Sequence, residues 1–450
     1  MKFSTQNPQK SLHLVSLGCT KNLVDSEVML GKLSDYTMTD DSANADVIIV
    51  NTCGFIDSAK EESINTILNL HDERKEESVL VMAGCLSERY KEELQKELPE
   101  IDVFTGVGDY DKIDELVDEK RSNFTNEVFL ATDTNDRVIT GSNYHAYVKL
   151  SEGCNQACSF CAIPSFKGKL HSRTLQSLVK EVKSLVSKGF TDFSFVSQDS
   201  SSFLRDLGHN DGLEQLISEV DKIEGIKTAR ILYLYPSTTT LDLVDKIADS
   251  KIFQNYFDMP LQHITPSMLK IMKRGKGVEK LIELMDHMKS KPNSFVRTTF
   301  IAGHPGETQE DHEALCEYIA SYKFDRANVF SYSTEEGTHA AKSDKLIDQE
   351  TIDARAEEIG EIIAQTTQES LEAEVGKTFD VYVDGESDEH EYLLSARKVI
   401  WAPDIDGEIY INDNELFEEN GDQTQLQFGK IYTVTITELV GDKLIARVIK

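Results

Sequence analysis

The chain has 450 residues and a formal net charge of −32 at pH 7, from 79 Asp or Glu and 47 Lys or Arg side chains. At roughly 100–200 residues per domain this length suggests about two to four domains. The polar start, and the lack of any run of about 18 uncharged apolar residues, argue against a secretory signal and a membrane span, so we expect a cytoplasmic protein. The acidic excess opposes general binding to nucleic acid, whose phosphates carry the same sign. It permits a basic partner, or it serves only solubility.

The first region, residues 11–123, alternates short apolar runs with helical periodicity. Strands are predicted at Leu12–Leu17, Asp46–Val50, Ser78–Met82 and Ile101–Phe104. Helical patterns follow each of them. Strict alternation of strand and helix predicts a doubly wound parallel sheet in an α/β domain.

Three of the seven cysteines come directly after the first three of these strands. They are Cys19, Cys53 and Cys85, each more than thirty residues from the next. Because the carboxyl ends of parallel strands share the edge of a sheet where ligands bind, we expect these thiols to converge. Three buried structural thiols are the alternative, although chance would not place all three at strand ends. Cys316, in a helical stretch, is interpreted as a small buried hydrophobe.

The second region, residues 140–371, repeats the alternation at a larger scale. Six strands are predicted, at His145–Leu150, Asp192–Val196, Thr228–Leu234, Asn255–Met259, Phe295–Ile301 and Arg326–Ser331. Six strand–helix units in a row predict a partial (βα)6 barrel of the TIM type, with its active site at the carboxyl ends of the strands. A long, outwardly charged helix over about residues 349–373 is expected to lead out of this barrel.

The third region, residues 374–450, loses helical periodicity and is rich in Val, Ile, Tyr and Thr between Asp-Gly and Gly-Asp turns. Five short strands in this length predict a small all-β barrel of the OB-like kind. Residues 375–450 hold 16 acidic and 7 basic side chains, a net charge of −9, which is denser than the average of the chain.

The strongest chemical signal is the CxxxCxxC cluster of Cys154, Cys158 and Cys161, just after the first barrel strand. Three thiolates at this spacing can hold three irons of a cubane 4Fe-4S cluster and leave the fourth iron open. An open metal position suits catalysis, whereas a structural site is closed. A zinc site completed by His145 or His171 is the alternative, although the spacing differs from paired CxxC zinc knuckles.

This cluster, with Phe160 before its third cysteine, resembles the signature of the radical S-adenosylmethionine enzymes. The phrase SLGCTKNLVDSE at residues 16–27, the two later strand-end cysteines and the terminal barrel extend the resemblance to the methylthiotransferase family. That family carries an N-terminal three-cysteine domain, a radical core and a C-terminal TRAM domain. The resemblance implies a transferase that uses S-adenosylmethionine and two 4Fe-4S clusters, the second of them on Cys19, Cys53 and Cys85. It implies no catalytic residues beyond the cluster ligands.

Three further phrases are similar to one branch of the family: VSQDS at 196–200, YFDMPLQH at 256–263 and APDIDG at 402–407. This branch methylthiolates the β-carbon of an aspartate in the twelfth protein of the small ribosomal subunit. The resemblance implies that one S-adenosylmethionine donates the methyl group and another is the radical source, with an electron donor such as flavodoxin or ferredoxin.

Two other functions stay open: a methylthiotransferase for adenosine in tRNA, and a non-catalytic iron–sulfur electron carrier or scaffold. The acidic third region makes tRNA an unfavourable partner, because phosphate neutralisation drives RNA binding. A basic ribosomal protein, free or in the ribosome, could instead be steered to it. Candidate steering charges are Asp404, Asp406, Glu418 and Glu419.

Five residues besides the cysteines are candidate contacts for S-adenosylmethionine: Phe160, Arg173, Gln198, Gly303 and Gly306. The resemblance assigns the stretch RTTFIAGHPGET at 297–308 to adenosyl contacts, and its two glycines would allow close backbone approach. A strand-to-helix turn capped at residue 307 or 308 is the alternative for this stretch.

A short basic patch of four residues follows the cysteine loop: Lys167, Lys169, His171 and Arg173. The two lysines could serve the cluster or the target carboxylate, or they could be solvated loop residues. His304 takes the place of an aromatic residue that the family usually carries.

Overall fold

The structure, a computed structural model, describes residues 10–275, 277–417 and 423–450. Five strands and five helices lie in the N-terminal region: β1 Ser11–Ser16, α1 Thr20–Lys32, β2 Thr37–Met38, β3 Val47–Thr52, α2 Asp57–Glu73, β4 Val79–Gly84, α3 Cys85–Arg89, α4 Lys91–Glu97, β5 Val103–Phe104 and α5 Ile113–Glu119. The strands form one parallel sheet in the order β2-β1-β3-β4-β5.

The predicted doubly wound sheet is confirmed. Strands β3 and β4 are buried at every position, as expected for central parallel strands that helices cover on both faces. The sequence pattern missed β2, a two-residue exposed strand that is too short to show alternation. It also predicted one helix where the chain forms α3 and α4, because Tyr90 leaves the helical region between them at φ −125° and ψ 35°.

The central region contains eight strands and eight helices: β6 His145–Lys149, β7 Ser151–Glu152, α6 Ile163–Lys167, β8 His171–Ser172, α7 Leu175–Ser187, β9 Asp192–Val196, α8 Gly212–Val220, β10 Thr228–Ile231, α9 Leu241–Ala248, β11 Phe253–Asp258, α10 Pro266–Ile271, α11 Val278–Lys289, β12 Phe295–Ala302, α12 Gln309–Tyr322, β13 Arg326–Ser331 and α13 Gln349–Glu372. The six long strands form a parallel sheet in the order β13-β12-β11-β10-β9-β6. This is the predicted partial barrel. Cys316 is buried in its core, as expected.

The terminal region folds into a closed barrel of five strands in the order β14-β15-β16-β18-β17. Their bounds are β14 Thr378–Glu386, β15 Leu394–Lys398, β16 Ile409–Asn414, β17 Ile431–Val440 and β18 Lys443–Val448. The predicted small all-β barrel is therefore confirmed.

One of the candidate steering charges in this barrel is not at the surface. The Asp406 carboxylate is fully buried, accepts a hydrogen bond from the Ala402 N–H at 2.7 Å and lies 3.4 Å from Arg297 Nε. The prediction for Asp406 is wrong, because this side chain is buried beside Arg297 of β12, between the terminal barrel and the central region. Asp404 is exposed, and Glu418 and Glu419 lie outside the described residues.

Buried ion pairs hold the three regions together. Glu335, after β13, lies 2.6 Å from Arg89 Nη1 and 3.0 Å from Lys60 Nζ of the N-terminal region. On the other side, Asp192 of β9 lies 2.9 Å from Arg230 and 2.7 Å from Arg397 of the terminal barrel. None of the helices in the described part of the chain is long and apolar enough to cross a membrane.

Candidate metal centres

Cys19, Cys53 and Cys85 stand just after β1, β3 and β4, and the chain packs tightly around them. Gly18 has φ +85°, and a Cβ on it would lie only 2.8 Å from Cys53 Sγ, so the Cys53 thiol rests against the residue before Cys19. A Cβ on Gly54 would lie 2.8 Å from the Cα of the residue that follows Cys85. The three strand ends therefore converge, as the sequence predicts.

One amide connects all three strand ends. Asn22 Nδ2 donates to the carbonyl oxygens of Leu17 at 3.1 Å and Thr52 at 3.2 Å, while its Oδ1 accepts from the Cys85 thiol at 3.6 Å. The first turn of α1 thus contacts all three strand ends.

Cys154, Cys158 and Cys161 line a cavity of about 130 Å³ at the carboxyl ends of the barrel strands. Phe55, which lies two residues after Cys53, also lines it. The loop after Cys53 in the N-terminal region therefore reaches the cavity that the second cysteine group lines. Its other lining residues are Gln156, Phe160, Ile163, Gln198, Tyr233, Leu234, Tyr235, Pro260, Gln262 and Arg274.

Polar groups of the cavity wall are directed at Cys158. Arg274 Nη1 donates to Cys158 Sγ at 3.2 Å, and its guanidinium lies 4.3 Å from the ring centroid of Tyr235. The Tyr235 hydroxyl lies 3.5 Å from the same sulfur. Both polar groups therefore contact the sulfur of the second cysteine in the CxxxCxxC cluster.

Gln198, in the cavity wall, carries a buried hydrogen-bond acceptor that has no donor in the described part of the chain. Its Nε2 donates to Glu152, and its buried Oε1 has no hydrogen-bond partner among the described residues. A buried acceptor without a partner is costly. A bound cofactor with an N–H or O–H group would satisfy it.

Burial keeps most of these thiols protonated in the metal-free protein. It raises the pKa of Cys53 to about 11 and the pKa values of Cys85, Cys154 and Cys161 to about 12. Metal binding must therefore release protons from the thiols. Six sulfur donors in two groups of three suit iron–sulfur clusters with one open iron each.

The other predicted contacts occupy different places. Phe160 and Gln198 line the cavity. Arg173 is buried in the barrel wall, where its guanidinium donates to the Lys149 carbonyl at 3.1 Å, to Ser177 Oγ at 2.9 Å and to Glu181. The Arg173 guanidinium therefore connects α7 to β6 by hydrogen bonds.

Gly303 and Gly306 lie in the turn between β12 and α12. A Cβ on Gly303 would lie 2.5 Å from Ile352 Cγ1, so the glycine allows α13 to pack closely. The Gly306 N–H donates to the Lys345 carbonyl at 3.0 Å. Thr308 caps α12 in a capping box with Asp311, which confirms the strand-to-helix turn that was the alternative for this stretch.

His304 supports the cysteine loop. Its Nε2 lies 2.9 Å from the Oγ of Ser159, a residue that lies between Cys158 and Cys161 in the sequence. The centroid of its ring lies 6.2 Å from that of Phe160 and 5.3 Å from that of Tyr332. Burial lowers the pKa of His304 to about 4, so the ring is neutral at neutral pH.

The basic patch after the cysteine loop divides into two kinds of residue. Lys169 is exposed, but the Lys167 side chain is only 3% exposed and contacts the Asp25 and Glu152 carboxylates. The solvated interpretation is therefore wrong for Lys167. Burial opposes ionisation of Glu152, yet Lys149 and Lys167 lower its pKa to about 2.

Several residues of the cavity wall were not predicted from the sequence. Tyr233 and Tyr235 follow β10, and Gln262 follows β11, so the strand-end rule that located the cysteines would also have found them. Tyr233 and Gln262 have φ values of +63° and +71°, a strained conformation typical of functional sites. Arg274 lies beyond α10, where no pattern in the sequence indicates a site.

Three family models match the chain: uncharacterized protein family UPF0004 at residues 11–106, the Radical SAM superfamily at 148–319 and the TRAM domain at 375–449. The ribosomal protein uS12 methylthiotransferase RimO of Aliarcobacter butzleri is 82% identical over 450 residues, which cover all of both chains. The protein of the same name from a Sulfurovum species is 64% identical and covers 98% of this chain and 99% of its own.

Among solved structures, the radical S-adenosylmethionine methyltransferase TsrM of Kitasatospora setae, with tryptophan and an S-adenosylmethionine analogue bound, superimposes with a TM-score of 0.51. The match is 15% identical and covers 72% of this chain and 74% of that one. At this identity the likeness concerns the fold alone.

Proposed function

Because this chain belongs to the family of ribosomal protein uS12 methylthiotransferases, we propose that it methylthiolates the β-carbon of an aspartate in protein uS12. It is a transferase that uses S-adenosylmethionine and two 4Fe-4S clusters. The observation that carries the proposal is that Phe55, from the loop after Cys53, lies in the wall of the cavity that Cys154, Cys158 and Cys161 line, so the loop of one three-cysteine group reaches the cavity of the other.

Each of the two cysteine groups holds one 4Fe-4S cluster. Cys19, Cys53 and Cys85 hold the first, and Cys154, Cys158 and Cys161 hold the second. When bound, the second cluster would pass one electron from the external donor to S-adenosylmethionine, which would then split into methionine and a 5′-deoxyadenosyl radical, and the first cluster would offer an open iron for the sulfur.

The wall of the cavity orients the cofactor. Arg274 offers a cation that matches the carboxylate of S-adenosylmethionine, and Gln198 Oε1 accepts from one of its N–H or O–H groups. Phe160 supplies an apolar surface beside the third cysteine. The rings of Phe55, Phe160, Tyr233 and Tyr235 in the cavity wall surround the site of a reactive carbon radical with apolar surface.

The terminal barrel offers an acidic surface for a basic ribosomal protein. Its exposed carboxylates in the described residues are Asp380, Glu386, Asp388, Glu389, Glu391, Asp404, Asp413, Glu415, Glu438 and Asp442. The same surface repels the phosphates of tRNA. The proposed location is the cytoplasm, with a small electron donor such as flavodoxin or ferredoxin as a second partner.

The decisive experiment is anaerobic reconstitution of the enzyme with iron and sulfide, followed by incubation with reductant, S-adenosylmethionine and purified uS12. We expect uS12 to gain the mass of one methylthio group on a single aspartate. Unmodified uS12 in the presence of a fully loaded enzyme would refute the proposal. A parallel incubation with tRNA that modified adenosine would replace it with the tRNA function, and failure to cleave S-adenosylmethionine would indicate an electron carrier.

The ligand assignment has its own test. Iron analysis should give about eight irons per chain, falling to about four in Cys19→Ala and in Cys154→Ala, as two independent cubanes require. Cys316→Ala is the matched control, since this buried cysteine lies outside both groups and should leave the iron content unchanged.

The acidic surface is tested by neutralising the hairpin carboxylates with the triple variant Asp388→Asn, Glu389→Gln and Glu391→Gln. We expect a slower association with uS12 and a weaker dependence of that rate on salt, because steering acts on the encounter rate. The charge-matched control neutralises three exposed residues of α4, in the variant Glu92→Gln, Glu93→Gln and Glu97→Gln. Equal effects of the two triple variants would show that only the overall charge matters.

A further inference from the structure

Four charged side chains form a buried square between the N-terminal region and the barrel. Lys149 Nζ lies 2.5 Å from Asp25 Oδ1 and 2.8 Å from Glu152 Oε2, and Lys167 Nζ lies 3.4 Å and 3.3 Å from the same two carboxylates. No side chain of this quartet is more than 3% exposed. Each ammonium contacts both carboxylates, so the charges cancel.

Each of three members belongs to a segment that carries a candidate cluster ligand. Asp25 lies on α1, which begins directly after Cys19. Glu152 ends β7, two residues before Cys154. Lys167 ends α6, a single short helix that begins two residues after Cys161. Lys149, on β6, connects these three segments to the barrel sheet.

The quartet also reaches the cavity. Glu152 Oε1 accepts from Gln198 Nε2, which leaves the unpartnered Oε1 of Gln198 for a ligand. Lys167 Nζ lies 5.8 Å from the ring centroid of Tyr110, in the core of the N-terminal region. One set of contacts therefore connects the surroundings of both cysteine groups.

Stability alone does not account for this arrangement. Well-packed apolar side chains of similar volume often stabilise a protein as much as a buried ionic group does. Buried ion pairs differ from apolar contacts, because each charge keeps its partner only while the side chains hold one relative geometry. A buried square that spans three ligand-bearing segments permits a single relative placement of those segments.

We propose that Asp25, Lys149, Glu152 and Lys167 are positioning residues that fix the distance between the two cluster sites. The proposal rests on the proposed function. The substrate carbon activated at the barrel site must meet the sulfur held at the N-terminal site. A displacement of about 1 Å between reacting groups can lower a rate about 100-fold, so the transfer step is sensitive to this distance.

Two variants of Asp25 separate charge from geometry. Asp25→Glu keeps the charge but lengthens the link by one methylene, and Asp25→Asn removes one charge with little change of shape. The double variant Asp25→Asn with Lys167→Met restores neutrality. Lys398→Met is the control, because it removes a buried cation that pairs with Glu374 at the terminal barrel, away from both cysteine groups.

Three quantities are measured on each reconstituted enzyme: iron per chain, the ratio of methylthiolated uS12 to 5′-deoxyadenosine, and the magnetic interaction between the two reduced clusters by electron paramagnetic resonance. We expect the Asp25 variants to keep about eight irons and to cleave S-adenosylmethionine. The product ratio should fall about tenfold or more, and the magnetic interaction should change. The control should match the wild type in all three.

An unchanged product ratio and magnetic interaction in fully loaded Asp25→Glu and double variants would overturn the inference. Loss of iron in every variant would also overturn it, because the quartet would then be needed to build one site rather than to space two. Failure of the proposed function is distinguishable, since the wild type itself would then lack eight irons or leave uS12 unmodified.

Discussion

The neutral ring of His304 predicts a specific dependence of stability on pH. Its pKa is about 4 in the folded chain against 6.5 for an ordinary histidine. Because the folded-state pKa is depressed, the unfolded chain takes up the proton first as the pH falls through 6.5. Stability is therefore lost progressively between pH 6.5 and pH 4. Linkage gives a loss of about 2 kcal/mol from this one ring between about pH 8 and about pH 5.

His304→Phe should remove this loss. The variant keeps an aromatic ring against Phe160 and Tyr332 but cannot be protonated. It also loses the contact with Ser159, at a cost of about 1 kcal/mol that is the same at both pH values. The variant should therefore have a lower free energy of unfolding than the wild type at pH 8, and it should lose less of that free energy between pH 8 and pH 5.

Urea unfolding of the cluster-free protein, followed by far-ultraviolet circular dichroism at both pH values, measures this difference. His145, whose pKa burial lowers to about 3, contributes equally in both proteins and cancels. His209→Gln, at an exposed ring, is the control and should show the full pH dependence of the wild type. If His304→Phe lost as much stability as the wild type between the two pH values, the ring would not be held neutral.

Two further predictions concern the contacts around the clusters. Glu335→Gln leaves Arg89 and Lys60 without a buried counter-charge and should destabilise the contact between the N-terminal region and the barrel by about 3–5 kcal/mol, measured by urea unfolding. Glu336→Gln, at the next residue, is its control, and equal effects would contradict the assigned pairing. Because burial raises the pKa values of Cys53 and Cys85, cluster assembly should release protons and become more favourable as the pH rises. Iron uptake by the cluster-free protein that did not change between pH 7 and pH 8.5 would contradict this.

The cysteine positions were predictable because local rules determine them. Where a cysteine directly follows a predicted strand, the sequence predicts both the strand and the edge of the sheet at which the thiol lies, as for Cys53 after β3. Arg274 follows no such rule, because its approach to Cys158 depends on how a loop after α10 folds back over the barrel. Lys167 was misjudged for a related reason. Its sequence neighbours predict an exposed loop, and only the distant Asp25 makes its burial possible.

A count of charged residues in the sequence gives the net charge of the terminal barrel, but it does not show which of these charges reach the surface. Asp406 is buried and therefore unavailable to a partner, which lowers the acidic total at the surface. Two of the basic residues are buried as well: Arg397, which pairs with Asp192, and Lys398, which pairs with Glu374. Asp192 lies on β9 of the central region and Glu374 lies just before the barrel strands, while Arg397 also lies 3.2 Å from Asp384 of β14. Without Asp406, Arg397 and Lys398, the described part of residues 375–450 holds 12 acidic and 5 basic side chains, a net charge of −7 against −6 with them, so a basic partner meets an acidic surface.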